Sequence, residues 1–140
     1  MKIAIVYYSG TGNTEAMAEA VQEGAMKAKA QVQVITPQEF SPSLALAFDG
    51  IAFGCPSMGV EELEEDVFEP MFQAVLPSLA GKKVALFGSY GWGDGEWMRN
   101  WEERTRSSGV GSLLGPVIAN EMPDETALDA CKALGASLAS

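Results

Sequence analysis

Apolar residues recur along this chain in short blocks, with two different spacings between them. Ile3-Ala4-Ile5-Val6-Tyr7-Tyr8 is an unbroken apolar run, the pattern of a strand covered on both faces. Residues 14–29 then place Met17, Ala20, Val21, Gly24 and Ala28 on one helical face. From Gln31 to Thr36 apolar and polar positions alternate, with Val32, Val34 and Thr36 on one side, as in a half-covered or edge strand. Residues 42–47 fit a short helix, and 49–55 a strand centred on Ile51-Ala52-Phe53. Pro70 suits the first turn of a helix running to about Leu76, where Phe68, Phe72, Val75 and Leu79 keep helical spacing. Lys83 to Gly88 is a fourth strand, and 96–107 a helix whose Trp97 and Trp101 read as core. Leu113 to Ala119 is a fifth strand, interrupted by Pro116. Pro123 and Asp124 open a last helix with Leu128, Cys131, Leu134 and Leu138 inward.

This alternation predicts α/β architecture: one domain over residues 1–140, a doubly wound five-stranded parallel sheet, and helices on both faces. Right-handed crossovers place every strand-to-helix loop at one edge of such a sheet. Ligands bind there, outside the carboxyl ends of the strands.

Three of those loops carry unusual residues. Ser9-Gly10-Thr11-Gly12-Asn13-Thr14 combines two glycines with hydroxyl donors at the head of a helix, whose free N–H groups favour an anion. It has no Gly-Lys-Ser/Thr and no GxGxxG, so it is neither a Walker A loop nor a dinucleotide fingerprint. A plain Gly-rich turn with a Thr cap fits the composition equally well. The second loop is Pro56-Ser57-Met58-Gly59-Val60-Glu61, where Met58 alone would pass as filler. The third is Ser89-Tyr90-Gly91-Trp92-Gly93-Asp94-Gly95. A Trp between glycines offers a flat ligand an aromatic face, although Trp92 alone is also consistent with a surface aromatic covering the core. In combination they offer an anion cradle, a Met-Gly turn and a Gly-Trp-Gly turn at one sheet edge. A phosphate, a short chain and a planar ring would fill them in order.

Charge and composition narrow the field. Nine basic against 19 acidic residues give a net charge of −10. That argues against nucleic acid and against an anionic membrane surface, and leaves open a basic protein partner or mere solubility. No apolar run approaches the ~18 residues of a membrane span. The absence of His removes His-dependent triads, the usual proton shuttle and His-ligated metals. Cys55 and Cys131 form no CxxC pair; they read as reduced, partly buried thiols of a cytoplasmic protein, and no metal site is expected.

The three loops together resemble those of short-chain flavodoxins, and the likeness runs essentially end to end. Ser9 to Thr14 is similar to the family's FMN-phosphate loop. Gly54-Cys55-Pro56-Ser57-Met58-Gly59, followed by Glu61, resembles its inner flavin loop, and Leu86 to Trp97 its outer one. The resemblance implies strand order 2-1-3-4-5, an order for which flavodoxins are themselves the type example, with FMN at the switch point. It also implies that Ser9, Thr11, Asn13 and Thr14, with Gly10 and Gly12 between them, hold the FMN phosphate. Pro56, Ser57, Met58, Gly59, Val60 and Glu61 would then meet the flavin from one side, and Ser89, Tyr90, Gly91, Trp92 and Gly93 from the other. Met58 and Trp92 would flank the ring, Glu61 would accept from the flavin's N3–H, and the Met58–Gly59 peptide would turn its carbonyl to N5–H on one-electron reduction. Pro56 replaces a hydroxyl residue of some members and donates nothing. Val60 is β-branched, which restricts the turn.

The function so implied is a low-potential one-electron carrier using non-covalently bound FMN, cycling between semiquinone and hydroquinone, without substrate turnover of its own. It would be monomeric and would dock redox proteins through their basic surfaces. The acidic run Glu61, Glu62, Glu64, Glu65, Asp66 and Glu69, with Asp94 and Glu96, serves either that docking or simple solvation. The alternatives are an FMN-dependent quinone or NAD(P)H reductase on the same fold, or a dedicated reducing partner of one enzyme. A phospho-receiver domain is rejected, because strands one and three end in Tyr8-Ser9 and Cys55-Pro56 rather than in acids.

Overall fold

The computed structural model describes residues 1–140. Its elements follow the order β1 (Lys2–Tyr7), α1 (Asn13–Lys27), β2 (Gln31–Ile35), α2 (Pro42–Ala45), β3 (Gly50–Gly54), α3 (Phe68–Val75), β4 (Lys83–Tyr90), α4 (Glu96–Ser107), β5 (Ser112–Asn120) and α5 (Glu125–Leu138). A 3-10 turn, Leu76–Leu79, follows α3. The five strands form one parallel sheet in the order β2-β1-β3-β4-β5, as expected.

Strand alternation sorts the sheet's side chains between two cores. Ala4 and Val6 of β1, Ile51 and Phe53 of β3, and Val84 and Leu86 of β4 face α2, α3 and α4. There Phe53 meets the edges of Phe40, Phe68 and Phe72, and Trp101 packs edge-on against Phe68 and Phe72. Each such ring, fully buried, contributes about 1.5–3 kcal/mol. Ile3, Ile5, Ala52, Ala85 and Phe87 face the other way, toward α1 and α5. Those two helices touch backbone to backbone. A methyl on Gly24 would lie 1.9 Å from the carbonyl oxygen of Lys132, and one on Gly135 would lie 2.0 Å from that of Val21.

Trp97 and Trp101 are core residues, each 2% exposed. Both thiols are fully buried rather than partly so. β4 continues through Ser89 and Tyr90, which the sequence pattern places in a loop. The extension follows from pairing: Ser89 and Tyr90 are opposite Ala119 and Asn120 of β5. Pro116 sits where the β4–β5 register shifts, on an edge strand, the place a sheet tolerates a residue without an N–H. No helix is long and apolar enough to cross a membrane.

Candidate functional site

Hydrogen bonds between loops gather the carboxyl ends of β1, β3, β4 and β5. Tyr8 N–H donates to the Gly54 carbonyl at 3.0 Å, Ser57 N–H to that of Ser89 at 2.9 Å, and Glu121 N–H to that of Tyr90 at 2.7 Å. Thr14 Oγ1 and Ser89 Oγ, both buried, lie 2.8 Å apart and join the head of α1 to the end of β4. Between these loops runs a cleft of about 620 Å³, walled by Gly10, Thr11 and Asn13, by Pro56, Ser57 and Met58, by Ser89, Tyr90 and Gly91, and by Glu121 and Met122. Its size lies within the roughly 300–1,000 Å³ of small-molecule and cofactor sites.

The β1–α1 loop is braced from within. Ser9 Oγ accepts from the N–H groups of Gly12 and Glu15, each at 3.1 Å. Gly12 takes the left-handed backbone (φ +94°) that starts the helix. The N–H groups of Gly10, Thr11, Asn13 and Thr14 have no partner within the chain. They crown the positive end of the 15-residue helix α1. The Thr14 hydroxyl is paired with Ser89 and the Ser9 hydroxyl with its own loop, which leaves the Thr11 hydroxyl without a partner in the chain. Glu15, in the first turn, accepts from the Tyr7 hydroxyl at 3.4 Å. Burial, and then the charges of Glu15 and Glu19, push the Tyr7 pKa up.

The second loop is a tight hairpin. Met58 and Glu62 exchange N–H···O bonds of 2.8 and 2.9 Å, leaving Gly59-Val60-Glu61 as the turn. Gly59 (φ +53°) and Glu61 (φ +54°) both adopt the left-handed region, which is costly for a residue with a Cβ. Glu61 is tied to the start of α4: its Oε1 accepts from the Glu96 N–H at 3.1 Å. Trp97 Nε1 donates to the Cys55 carbonyl at 3.3 Å, a second tie between α4 and the end of β3. Met58 is 38% exposed, Val60 74% and Trp92 62%.

Three expected site residues of the second loop, Gly59, Val60 and Glu61, thus form the hairpin tip rather than the cleft wall, and Glu61 lines a neighbouring groove of about 420 Å³. Ser9, Gly12, Thr14, Trp92 and Gly93 also lie outside the wall. Glu121 and Met122 are the wall residues that the sequence reading missed. A parallel sheet brings the β5–α5 loop to the same edge as the other three, and that rule alone would have found them.

The flavodoxin family model matches residues 5–135. The chain is 47% identical over 137 residues to the flavodoxin of Megasphaera elsdenii, covering 98% of each chain, and 44% identical over 135 residues to that of Clostridium beijerinckii, covering 96% of this chain and 97% of that one. The chain belongs to the flavodoxin family. The solution structure of the two-electron reduced M. elsdenii flavodoxin superposes with a TM-score of 0.90 over 98% of each chain. A flavodoxin from the domain Archaea does so with 0.84 at 31% identity, over 99% of this chain and 96% of that one.

Flavodoxins are electron-transfer proteins and their cofactor is FMN. The residues present fit that group. Four unpartnered N–H groups at a helix head suit a phosphate without any Lys or Arg. The apolar side chains of Met58 and Trp92 stand exposed on two of the loops that frame the cleft, in keeping with a flat aromatic ligand.

Proposed function

We propose that this flavodoxin is a low-potential one-electron carrier, cycling bound FMN between semiquinone and hydroquinone and docking redox proteins that present basic surfaces. FMN supplies the electron-accepting ring, while the chain supplies binding, orientation and electrostatics. The observation that carries the reading is the Met58–Glu62 hairpin, pinned at its base yet turning on Gly59, with nothing within 4 Å of a methyl placed there. A glycine at φ +53° crosses between left-handed and right-handed backbone at little cost. The turn can therefore present a different peptide group to a cofactor whose protonation and charge change.

The acidic run supports the low potential. Arg104 pairs with Glu69 at 2.7 Å and Arg99 with Asp94 at 3.0 Å, which offsets those two charges. Glu61, Glu62, Glu65, Asp66 and Glu96 have no basic partner within salt-bridge distance. Two like charges ~8 Å apart at an effective dielectric of ~20 repel by about 2 kcal/mol, less where solvent and salt screen them. A tenfold shift of a one-electron equilibrium, about 1.4 kcal/mol, is ~59 mV. Glu121 in the cleft wall, with Glu61, Glu62 and Glu65 in the neighbouring groove, would therefore oppose a negative charge arriving in the cleft. The same unpaired charges attract a basic partner, and the rate of electron transfer to such a partner should fall as ionic strength rises. A rate indifferent to salt would remove the docking part of the reading.

Stepwise anaerobic reduction followed by visible absorption tests the carrier. The expected course is a yellow protein that turns blue and then pale. Direct bleaching would replace the one-electron carrier with a two-electron flavoprotein, and failure to take up added FMN would overturn the reading altogether.

A further inference from the structure

Glu64 stands apart from the acidic run in which the sequence sets it. It is the one carboxylate buried in the protein, at 5% exposure. Its Oε1 accepts from the N–H groups of Val67 and Phe68 at 2.8 and 2.7 Å, and its Oε2 from that of Asp66 at 2.8 Å. Those donors include the first free N–H groups of α3, whose own N-cap residue, Val67, offers no side-chain acceptor. The backbone of Glu64 is committed as well. Its N–H donates to Cys55 Sγ at 3.3 Å, and its carbonyl accepts from the Glu69 N–H at 2.8 Å.

Glu64 therefore joins the end of β3 to the start of α3. The chain between Cys55 and Glu64 becomes a closed loop, with the Met58–Glu62 pair as its inner ring. Nothing on the solvent side holds that ring: Met58, Gly59, Val60 and Glu62 are exposed. The Glu61 contact with α4 ties its tip, and Glu64 ties its base. A buried carboxylate is costly unless fully hydrogen-bonded, so a residue that spends three backbone donors on one is holding a specific geometry.

We infer that Glu64 is a positioning residue for the cofactor hairpin: its carboxylate anchors it to the start of α3 and its N–H to Cys55, and the two together fix the base on which Gly59-Val60-Glu61 turns, and so set how FMN binding differs between redox states. The FMN part rests on the function proposed above; the holding of the hairpin does not. The competing account is that Glu64 acts only as one more negative charge near the cleft. Its exposed neighbour Glu65 separates the two accounts, because Glu65→Gln removes the same charge without touching a backbone donor.

The experiment compares wild type, Glu64→Gln and Glu65→Gln, measuring amide exchange in the proteins as purified and FMN dissociation constants in the oxidised and fully reduced states. Glu64→Gln should speed exchange at Met58 and Glu62, the hydrogen-bonded amides of the hairpin, at least tenfold while β1, β3 and β4 keep their protection. It should change the ratio of the two dissociation constants about tenfold, equivalent to ~30 mV in the two-electron potential. Glu65→Gln should change each by less than threefold. Equal shifts of the ratio in the two variants, or a hairpin as protected in Glu64→Gln as in wild type, would overturn the inference. Should Glu64→Gln not fold, Cys55→Ala removes the acceptor of the Glu64 N–H and is read by the same two criteria. A wild type that binds no FMN would defeat the proposed function, while the exchange rates would still decide whether Glu64 holds the hairpin.

Discussion

The β1–α1 loop and the Met58–Glu62 hairpin serve one cleft and are built in opposite ways. The first is braced by its side chains while four of its amides stay free: Ser9 accepts from the N–H groups of Gly12 and Glu15, Thr14 is locked to Ser89, and α1 beneath it is pressed against α5 at Gly24 and Gly135. The second is held at base and tip, with two left-handed residues between and its side chains largely in solvent. A phosphate keeps its charge through a redox cycle, so donors fixed in advance serve it best. A flavin ring changes charge and protonation, so in the proposed carrier a loop beside it would gain from a turn that can rearrange. Rigidity and freedom are thus set by which groups the chain leaves bonded to itself.

The largest expected effect comes from breaking the rigid side. Gly135→Ala drives a methyl into the Val21 carbonyl and should cost about 3 kcal/mol in urea unfolding, the upper end for overpacked cores. The loss of FMN affinity should follow the loss of α1 from its seat. Thr14→Val leaves the buried Ser89 hydroxyl without its partner and should cost about 1–2 kcal/mol. Adding Ser89→Ala should return part of that, as a double-mutant cycle would show. FMN should be bound more weakly by Thr14→Val in both redox states alike, because the braced loop does not change with redox state.

Gly59→Ala tests the mobile side. Stability should fall by only about 1 kcal/mol, the cost of a Cβ in the left-handed region. The two redox states should nonetheless lose FMN affinity unequally, as titration of each state would reveal. Equal losses would make the hairpin no different from the braced loop.

Protons give the smallest effects. Burial alone would raise the Glu64 pKa, but the N–H donors of Phe68, Val67 and Asp66 outweigh it and hold the carboxyl below its usual range. Its contribution is therefore complete above the ordinary Glu value of ~4.3 and is lost as pH falls through the lowered folded value. Acid should loosen the hairpin before it unfolds the sheet, with amide exchange as the measurement. Tyr7 has the opposite sign: its raised pKa gives stability that is whole below ~10 and lost as pH rises through the folded value. Burial pushes the Cys131 thiol up to about 12 and Cys55 higher still, so neither should react with iodoacetamide at pH 8 until the protein unfolds.

Element type and order were legible because burial periodicity is a local signal. Phe68, Phe72, Trp97 and Trp101 lie in the core as their spacing predicts. The ends of elements were less legible. Ser89 and Tyr90 read as loop from their neighbours, yet they pair with β5, a partner thirty residues away. The acidic run shows the same limit. Glu64 and Glu65 are adjacent and chemically alike, but one is buried on three amides and the other is in solvent. Glu121 and Met122 carry no motif and join the cleft through topology alone.

The sequence by itself determined the parallel α/β framework, the edge at which its loops meet, the residues of three of those loops and the family they belong to. These rest on periodicity and on short motifs, whose information is contained within a few consecutive residues. The tertiary structure alone decided which groups remain free to bind. Ser9 turns inward to its own loop, Thr14 finds Ser89, Glu61 reaches Glu96, and Glu64 closes a ring with Cys55. Two of those choices join residues 75 and 35 positions apart, the other two each lie within one loop, and all are settled by which donors and acceptors the folded chain leaves to be satisfied.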